Sequence, residues 1–146
     1  MKVRKSLVLS SLLVIWVGIQ FIRPVHNQSF EKSEAGMDRL YVIPDNINQL
    51  LQNACYDCHS NHTNYPWYSE IQPVGWILNH HIVKGKSELN FDSIVNYSER
   101  RRKSKMKASA NQIRDNQMPI RSYTWLHKEA RLTETQKQLL IKWFTK

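Results

Sequence analysis

The sequence predicts an all-α domain preceded by one N-terminal transmembrane helix. Three observations carry that reading. Apolar residues recur at helical spacing in several stretches, and no stretch of useful length alternates at strand period. One pentapeptide, Cys55-Tyr56-Asp57-Cys58-His59, holds both cysteines of the 146-residue chain. Lys2, Arg4 and Lys5 precede an apolar run from Leu7 to Ile22, broken only by Ser10, Ser11, Gly18 and Gln20.

Residues 1–23 are read as a membrane anchor. A cleaved secretory signal has the same layout but should end in a small-residue site. The first alanine is Ala35, too far beyond Ile22. The run of 16 is slightly short of the roughly 17–25 residues that span a bilayer, and flanking residues such as Ser6 extend it. The expectation is an uncleaved segment with its basic end in the cytoplasm. Residues 24–43 show no periodicity and are read as a linker.

Residues 44–146 form the expected domain. Pro44-Asp45 opens a helix with Asp45 as N-cap. Ile47, Leu50, Leu51 and Ala54 follow at i, i+3, i+4 and i+7. The pentapeptide closes this helix. It reads C-x-x-C-H, the attachment signature of a c-type haem. Each thiol can add across one haem vinyl group, and the histidine after the second cysteine serves as an axial iron ligand. Cys55 and Cys58 are thus expected to hold one covalent haem c, with His59 as proximal ligand. A zinc site would need two more ligands, and no further cysteine exists. A thioredoxin-like pair would open a helix in a βαβ setting, and a plain disulfide would leave His59 without a role.

Residues 60–72 are turn-rich and aromatic, with Tyr65, Pro66, Trp67 and Tyr68 expected to wall one side of the haem. A second helix is expected from Pro73 to Lys84, with Gly85 just past its end. Its face carries Trp76, Ile77 and His80 or His81. A third begins at Phe91-Asp92, capped by Asp92, and ends near Asp115-Asn116. It contains the basic run Arg100, Arg101, Arg102, Lys103, Lys105 and Lys107, with Met106, Ala110 and Ile113 as an apolar stripe. Thr133-x-x-Gln136 is a capping box before a last helix with Leu139, Leu140, Trp143 and Phe144 on its apolar face.

The second axial position has two candidates. Met118, followed by Pro119 in a polar loop, offers a soft thioether that raises a haem's reduction potential. The bland alternative is a methionine filling a core gap. His81, or its neighbour His80, is the rival, giving a bis-histidine haem. His62 lies too near His59, Met106 reads as core, and His127 reads as a hydrogen-bonding loop residue.

With these residues in view, the chain resembles a family of small bacterial haem-binding domains of cytochrome-c type. The resemblance rests on Cys55-Tyr56-Asp57-Cys58-His59-Ser60-Asn61, Tyr65-Pro66-Trp67-Tyr68-Ser69, Gly85 with Glu88-Leu89-Asn90-Phe91, Met118-Pro119 with Tyr123, and His127 to Thr133. It covers roughly residues 40–146 and the style of the N-terminal segment. Lys128 stands where the family commonly has proline. The resemblance implies haem binding and a cytochrome-c-like helical fold.

The functional expectation is a single-electron carrier at the periplasmic face, anchored by one span in the bacterial inner membrane with its C-terminal domain in the periplasm. An iron with both axial positions filled leaves no room for substrate, so no enzymatic activity is expected. The alternatives are a haem-based sensor or gas binder with an open or labile sixth position, or a peroxidase-like enzyme. Net charge is +9, but beyond residue 23 the balance falls to 17 basic against 12 acidic residues, too modest to indicate nucleic acid. The basic run at 100–107 offers a surface for an acidic redox partner; a solvated helix face is the plainer reading of such a run.

Overall fold

The computed structural model describes residues 2–29 and 33–146. Residues 30–32 of the 24–43 connection lie outside the described residues. Seven α-helices appear among them: α1 (Lys2–Ile19), α2 (Asp45–Ala54), α3 (Tyr56–His59), α4 (Val74–Glu88), α5 (Glu99–Arg114), α6 (Arg121–Leu126) and α7 (Glu134–Phe144). Short 3-10 turns lie between several of them, and the described residues contain no strand beyond an isolated bridge between Gln28 and His62.

The expected transmembrane helix is not supported. No helix among the described residues is long and apolar enough to cross a membrane. The reason is arithmetic. Helix α1 is 18 residues long and its first turn carries three cations, Lys2, Arg4 and Lys5. The remainder, from Ser6 to Ile19, rises about 21 Å, against a hydrocarbon thickness of about 30 Å. The residues that would lengthen it are engaged elsewhere. Gln20 exchanges hydrogen bonds with Gln72, donating to its carbonyl at 3.2 Å and accepting from its backbone N–H at 2.9 Å. The Trp76 indole donates to the Ile22 carbonyl at 2.8 Å, and Arg23 meets Glu70 at 2.6 Å.

The attachment to the domain continues through residue 29. Asn27 donates its amide to the Ser60 carbonyl and the Thr63 hydroxyl. Backbone bonds join Ser29 to Asn61 and Thr63 to Asn27. His26 stacks on Tyr65 with ring centres 4.1 Å apart. Two stretches far apart in sequence therefore flank the loop that follows His59.

The apolar core lies where α2, α5 and α7 meet. Ile47, Leu50 and Leu51 from α2 pack with Met106, Ala110 and Ile113 from α5 and with Leu140, Ile141, Trp143 and Phe144 from α7. The i, i+3, i+4, i+7 spacing read in α2 thus corresponds to its buried face, with Ala54 completing it. In α7 Leu139 is exposed, and Ile141 takes the buried place expected for it. The Thr133–Gln136 capping box is present in both directions.

Three boundaries differ from the sequence reading. Helix α2 is preceded by Pro44 with no side-chain cap, and Asp45 is its first residue, where a carboxylate suits the helix dipole. Phe91–Asn96 form a 3-10 turn whose cap is Asn90; Asp92 instead accepts from the Asn61 N–H at 2.6 Å, and α5 starts later, capped by Ser98. Helix α4 does not stop at Gly85 but runs to Glu88, burying Gly75 and Ile82 and leaving Ile77 exposed. Gly85 is a contact residue, not a terminator. A Cβ there would sit 2.6 Å from the Cys58 carbonyl oxygen, so its absence lets α4 lie directly against the turn that carries the cysteines.

The end of α5 has a clear local cause. Asn116 adopts a left-handed conformation with φ 55°. The Asn116 N–H reaches the Ile113 carbonyl at 3.1 Å, and the Gln117 N–H reaches Gln112 at 2.8 Å. This is the paired Schellman arrangement, which reverses the chain and delivers Met118.

Two predictions follow from backbone geometry. Gly85→Ala gains helix propensity of about 1 kcal/mol but forces α4 off the Cys58 turn, so a net loss of about 1–3 kcal/mol is expected. Gly18→Ala, where nothing lies within 4 Å, should be neutral or slightly stabilising; denaturant midpoints compare the two. Asn116→Gly should hold stability, whereas Asn116→Val should lower it by about 1–2 kcal/mol in the same assay.

Candidate functional site

Helix α2 breaks at Cys55, whose φ of −130° leaves helical geometry, and the chain restarts as the single turn α3. That break lets α3 pack against α4, with Cys55 still against the core cluster and all three residues on a cavity shared with His81, Lys84 and Gly85 of α4. The segment between α4 and α5 supplies the next element. The His59 Nδ1–H donates to the Leu89 carbonyl at 2.9 Å. Leu89 and Phe91 are buried, and the Phe91 ring lies 6.1 Å from the imidazole. With Nδ1 committed, Nε2 is the nitrogen left for coordination, and a carbonyl bond of this kind fixes tautomer and ring orientation in histidine ligands. Burial lowers the His59 pKa, against the raising effect of its carbonyl partners, so the neutral ligating form is favoured.

Two cavities border this histidine, of about 350 and 260 Å³. Both are lined by Ala54, Cys55, His59, Lys84, Glu88, Met118 and Pro119. The larger extends over Leu89, Phe91, Ile113, Leu132 and Phe144, the smaller over Cys58, His81, Gly85, Ile120 and Tyr123. The walls are chiefly apolar, with a few placed polar groups, the usual character of a cofactor site. At the rim Lys105 of α5 reaches Glu88 of α4 at 2.9 Å.

The cysteines are unpaired and partly buried. Burial, with the neighbouring Cys58, pushes the Cys55 thiol up to about 12; burial and the Asp57 carboxylate push Cys58 up to about 11. Neutral thiols of this kind differ from the low-pKa thiolates of redox pairs. Among the described residues no group of three His, Cys, Asp or Glu side chains is placed to hold a metal ion. The donor set fits haem instead: an imidazole nitrogen beside an apolar slot, two neutral thiols on its edge, and a thioether on the same walls.

The structure brings together Cys55, Cys58, His59 and Met118, and places His81 on the smaller cavity with them. Met118 is 36% exposed at the rim. Met106 is buried in the core. His127 uses both nitrogens: Nε2 accepts from the Tyr68 hydroxyl at 2.5 Å, and Nδ1 donates to Glu129 at 3.1 Å. The aromatic segment does not wall either cavity beside His59, since Tyr65, Trp67 and Tyr68 line neither. Tyr65 and Tyr68 turn to His26 and His127, and Trp67 is 77% exposed.

Sequence reasoning missed Leu89, whose role is carried by a carbonyl and leaves no side-chain signal. It also missed Asp57 and Tyr123, joined at 2.6 Å. His81, Lys84 and Glu88 could have been found together, because their spacing of three and four puts them on one helix face.

A pH effect follows from the His59 shift. Between its lowered folded pKa and the unfolded value near about 6.5, the unfolded chain binds a proton that the folded chain does not. Stability of the haem-free chain should therefore rise with pH across that window and fall as pH drops below about 6.5. His59→Gln should flatten this part of the urea-midpoint profile. His81, also lowered by burial and by His80 and Lys84, accounts for slope that remains.

No curated protein and no solved structure matches the chain. A family model does, that of the haem-binding domain, over residues 14–146. The cysteines, the carbonyl-oriented His59 and the apolar cavities all fall within that match, and the chain belongs to the haem-binding domain family.

Proposed function

We propose that this haem-binding domain holds a c-type haem and carries single electrons. Cys55 and Cys58 would each hold the haem through a thioether made by adding the thiol across one vinyl group, and His59 Nε2 and Met118 would supply the two protein ligands to its iron. Bound haem supplies an iron centre that gains and loses one electron. The observation that carries the reading is the Nδ1–Leu89 hydrogen bond, which commits His59 to a single coordinating nitrogen on the wall of both cavities.

The chain's own residues supply the rest. Leu89, Phe91 and Phe144 exclude water from one side of the site. Lys84 and Lys105 are the cations on its walls and suit the carboxylates of a porphyrin. In this role the domain turns over no substrate and works at the periplasmic face, since haem is attached to c-type cytochromes outside the cytoplasm.

An acidic redox partner is part of the proposal, in a narrower form than a uniform basic face. Several cations of the 100–107 run have local work. Arg102 donates to the Val95 and Tyr97 carbonyls, Lys103 pairs with Glu99, and Arg101 lies over the Tyr97 ring. Lys105 pairs with Glu88, so docking would fall to Arg100 and Lys107.

A second reading is favoured by one observation. The rim exposure of Met118 suits a displaceable ligand, as a gas-binding sensor would require. His81 remains the alternative ligand.

Matured in a host competent for cytochrome c assembly, the chain should gain the mass of one haem that survives acid-acetone extraction. Cys55→Ser or Cys58→Ser should lose one thioether, and a bare polypeptide mass in the wild type would end the c-type reading. Met118→Ala should lower the reduction potential and speed carbon monoxide binding to the ferrous form. If His81→Ala has that effect and Met118→Ala does not, the ligand is the histidine; fast binding already in the wild type favours the sensor. Partner reduction should slow as salt rises.

A further inference from the structure

We infer that Tyr123 is a positioning residue, tying the loop that carries Met118 to the attachment turn through its hydrogen bond to Asp57. The inference rests on Met118 as sixth ligand and goes beyond it by naming what sets that ligand's place.

Asp57 lies between the two cysteines and is 8% exposed. A carboxylate so buried needs donors for both oxygens. Oδ1 accepts from the backbone N–H of Asn64 at 3.0 Å and more weakly from its side-chain amide at 3.4 Å. The Asp57 carbonyl accepts from the Thr63 hydroxyl at 2.6 Å. Those bonds fix the acid to the 63–64 loop. Oδ2 is given to Tyr123, whose hydroxyl donates at 2.6 Å.

Tyr123 sits in the first turn of α6, five residues beyond Met118, and lines the same cavity as Met118, Cys58 and His59. Its ring cannot swing freely. It stacks on His127 at 4.2 Å and 13°, and His127 is held on both sides by Tyr68 and Glu129. The Met118 loop is thus fixed at two points: the Schellman turn behind it and the Tyr123 hydroxyl ahead of it. The second fixed point is inside the C-x-x-C motif. The same four-residue stretch, Cys55 to Cys58, that would bear the two thioethers also locates the loop meant to face the iron.

The test uses the full-length, haem-loaded protein and Tyr123→Phe, which deletes one oxygen and keeps the ring. Covalent haem, read by mass, should be unchanged. The long-wavelength band of Met-ligated ferric haem should weaken, and carbon monoxide binding to the ferrous form should quicken by about tenfold, the factor expected from losing one charge-assisted hydrogen bond. Asp57→Asn, which keeps an oxygen acceptor for Asn64, should fall between wild type and Tyr123→Phe, and carries the same test if Tyr123→Phe does not accumulate. A wild-type band and wild-type binding rate in both variants would overturn the inference. A wild type whose band does not depend on Met118 would overturn the sixth-ligand assignment, and this inference with it, while leaving the covalent mass as separate evidence for the haem.

Discussion

The interaction on which the site depends is the hydrogen bond from His59 to the Leu89 carbonyl. It joins the end of α3 to the segment leaving α4. It can form only because α4 lies close to the cysteine turn, and that closeness depends on Gly85 facing the Cys58 carbonyl. One missing methyl group and one backbone acceptor therefore orient the imidazole. Leu89 is itself buried in the core cluster with Phe91 and Ile94, so the acceptor is held by packing and not by a flexible loop.

The two halves of the cavity have different supports. The attachment side is built from α2, α3 and α4, all close in sequence. The facing side comes from α5, α7 and the segment between them, placed by the core contacts of Met106, Ala110 and Ile113 with Leu140 and Phe144. A hydrophobic cluster of this size costs several kcal/mol to disturb at any one large side chain. The slot is therefore kept open by packing around it, while its polar groups are kept in register by hydrogen bonds to backbone.

Much of this was legible in the residues, and the limits are physical. The buried face of α2 followed from its spacing, and the Thr133–Gln136 box marked the start of α7, because both are local signals. Gly85 was misread as a stop because a glycine past a helix and a glycine under a crossing backbone look alike in one sequence. Asp92 was misread as a cap because its partner, Asn61, is 31 residues away. The N-terminal span was overestimated because a run of apolar letters does not reveal where Gln20 and Ile22 find their partners. Cys55, Cys58 and His59 were singled out by their order alone, and all three line the smaller cavity; Met118 and His81 line it too, and spacing alone does not choose between them.

The contacts made by residues 20–29 carry a further consequence. They supply donors to carbonyls of Gln72, Ser60 and Asn61 and an indole acceptor for Trp76. Severing the backbone within that stretch would strand polar groups beside the loop that leaves His59, even though every proposed iron-binding residue remained. The smallest portion able to keep the imidazole in place thus begins well ahead of α2, and shortened versions intended for physical study should retain Gln20.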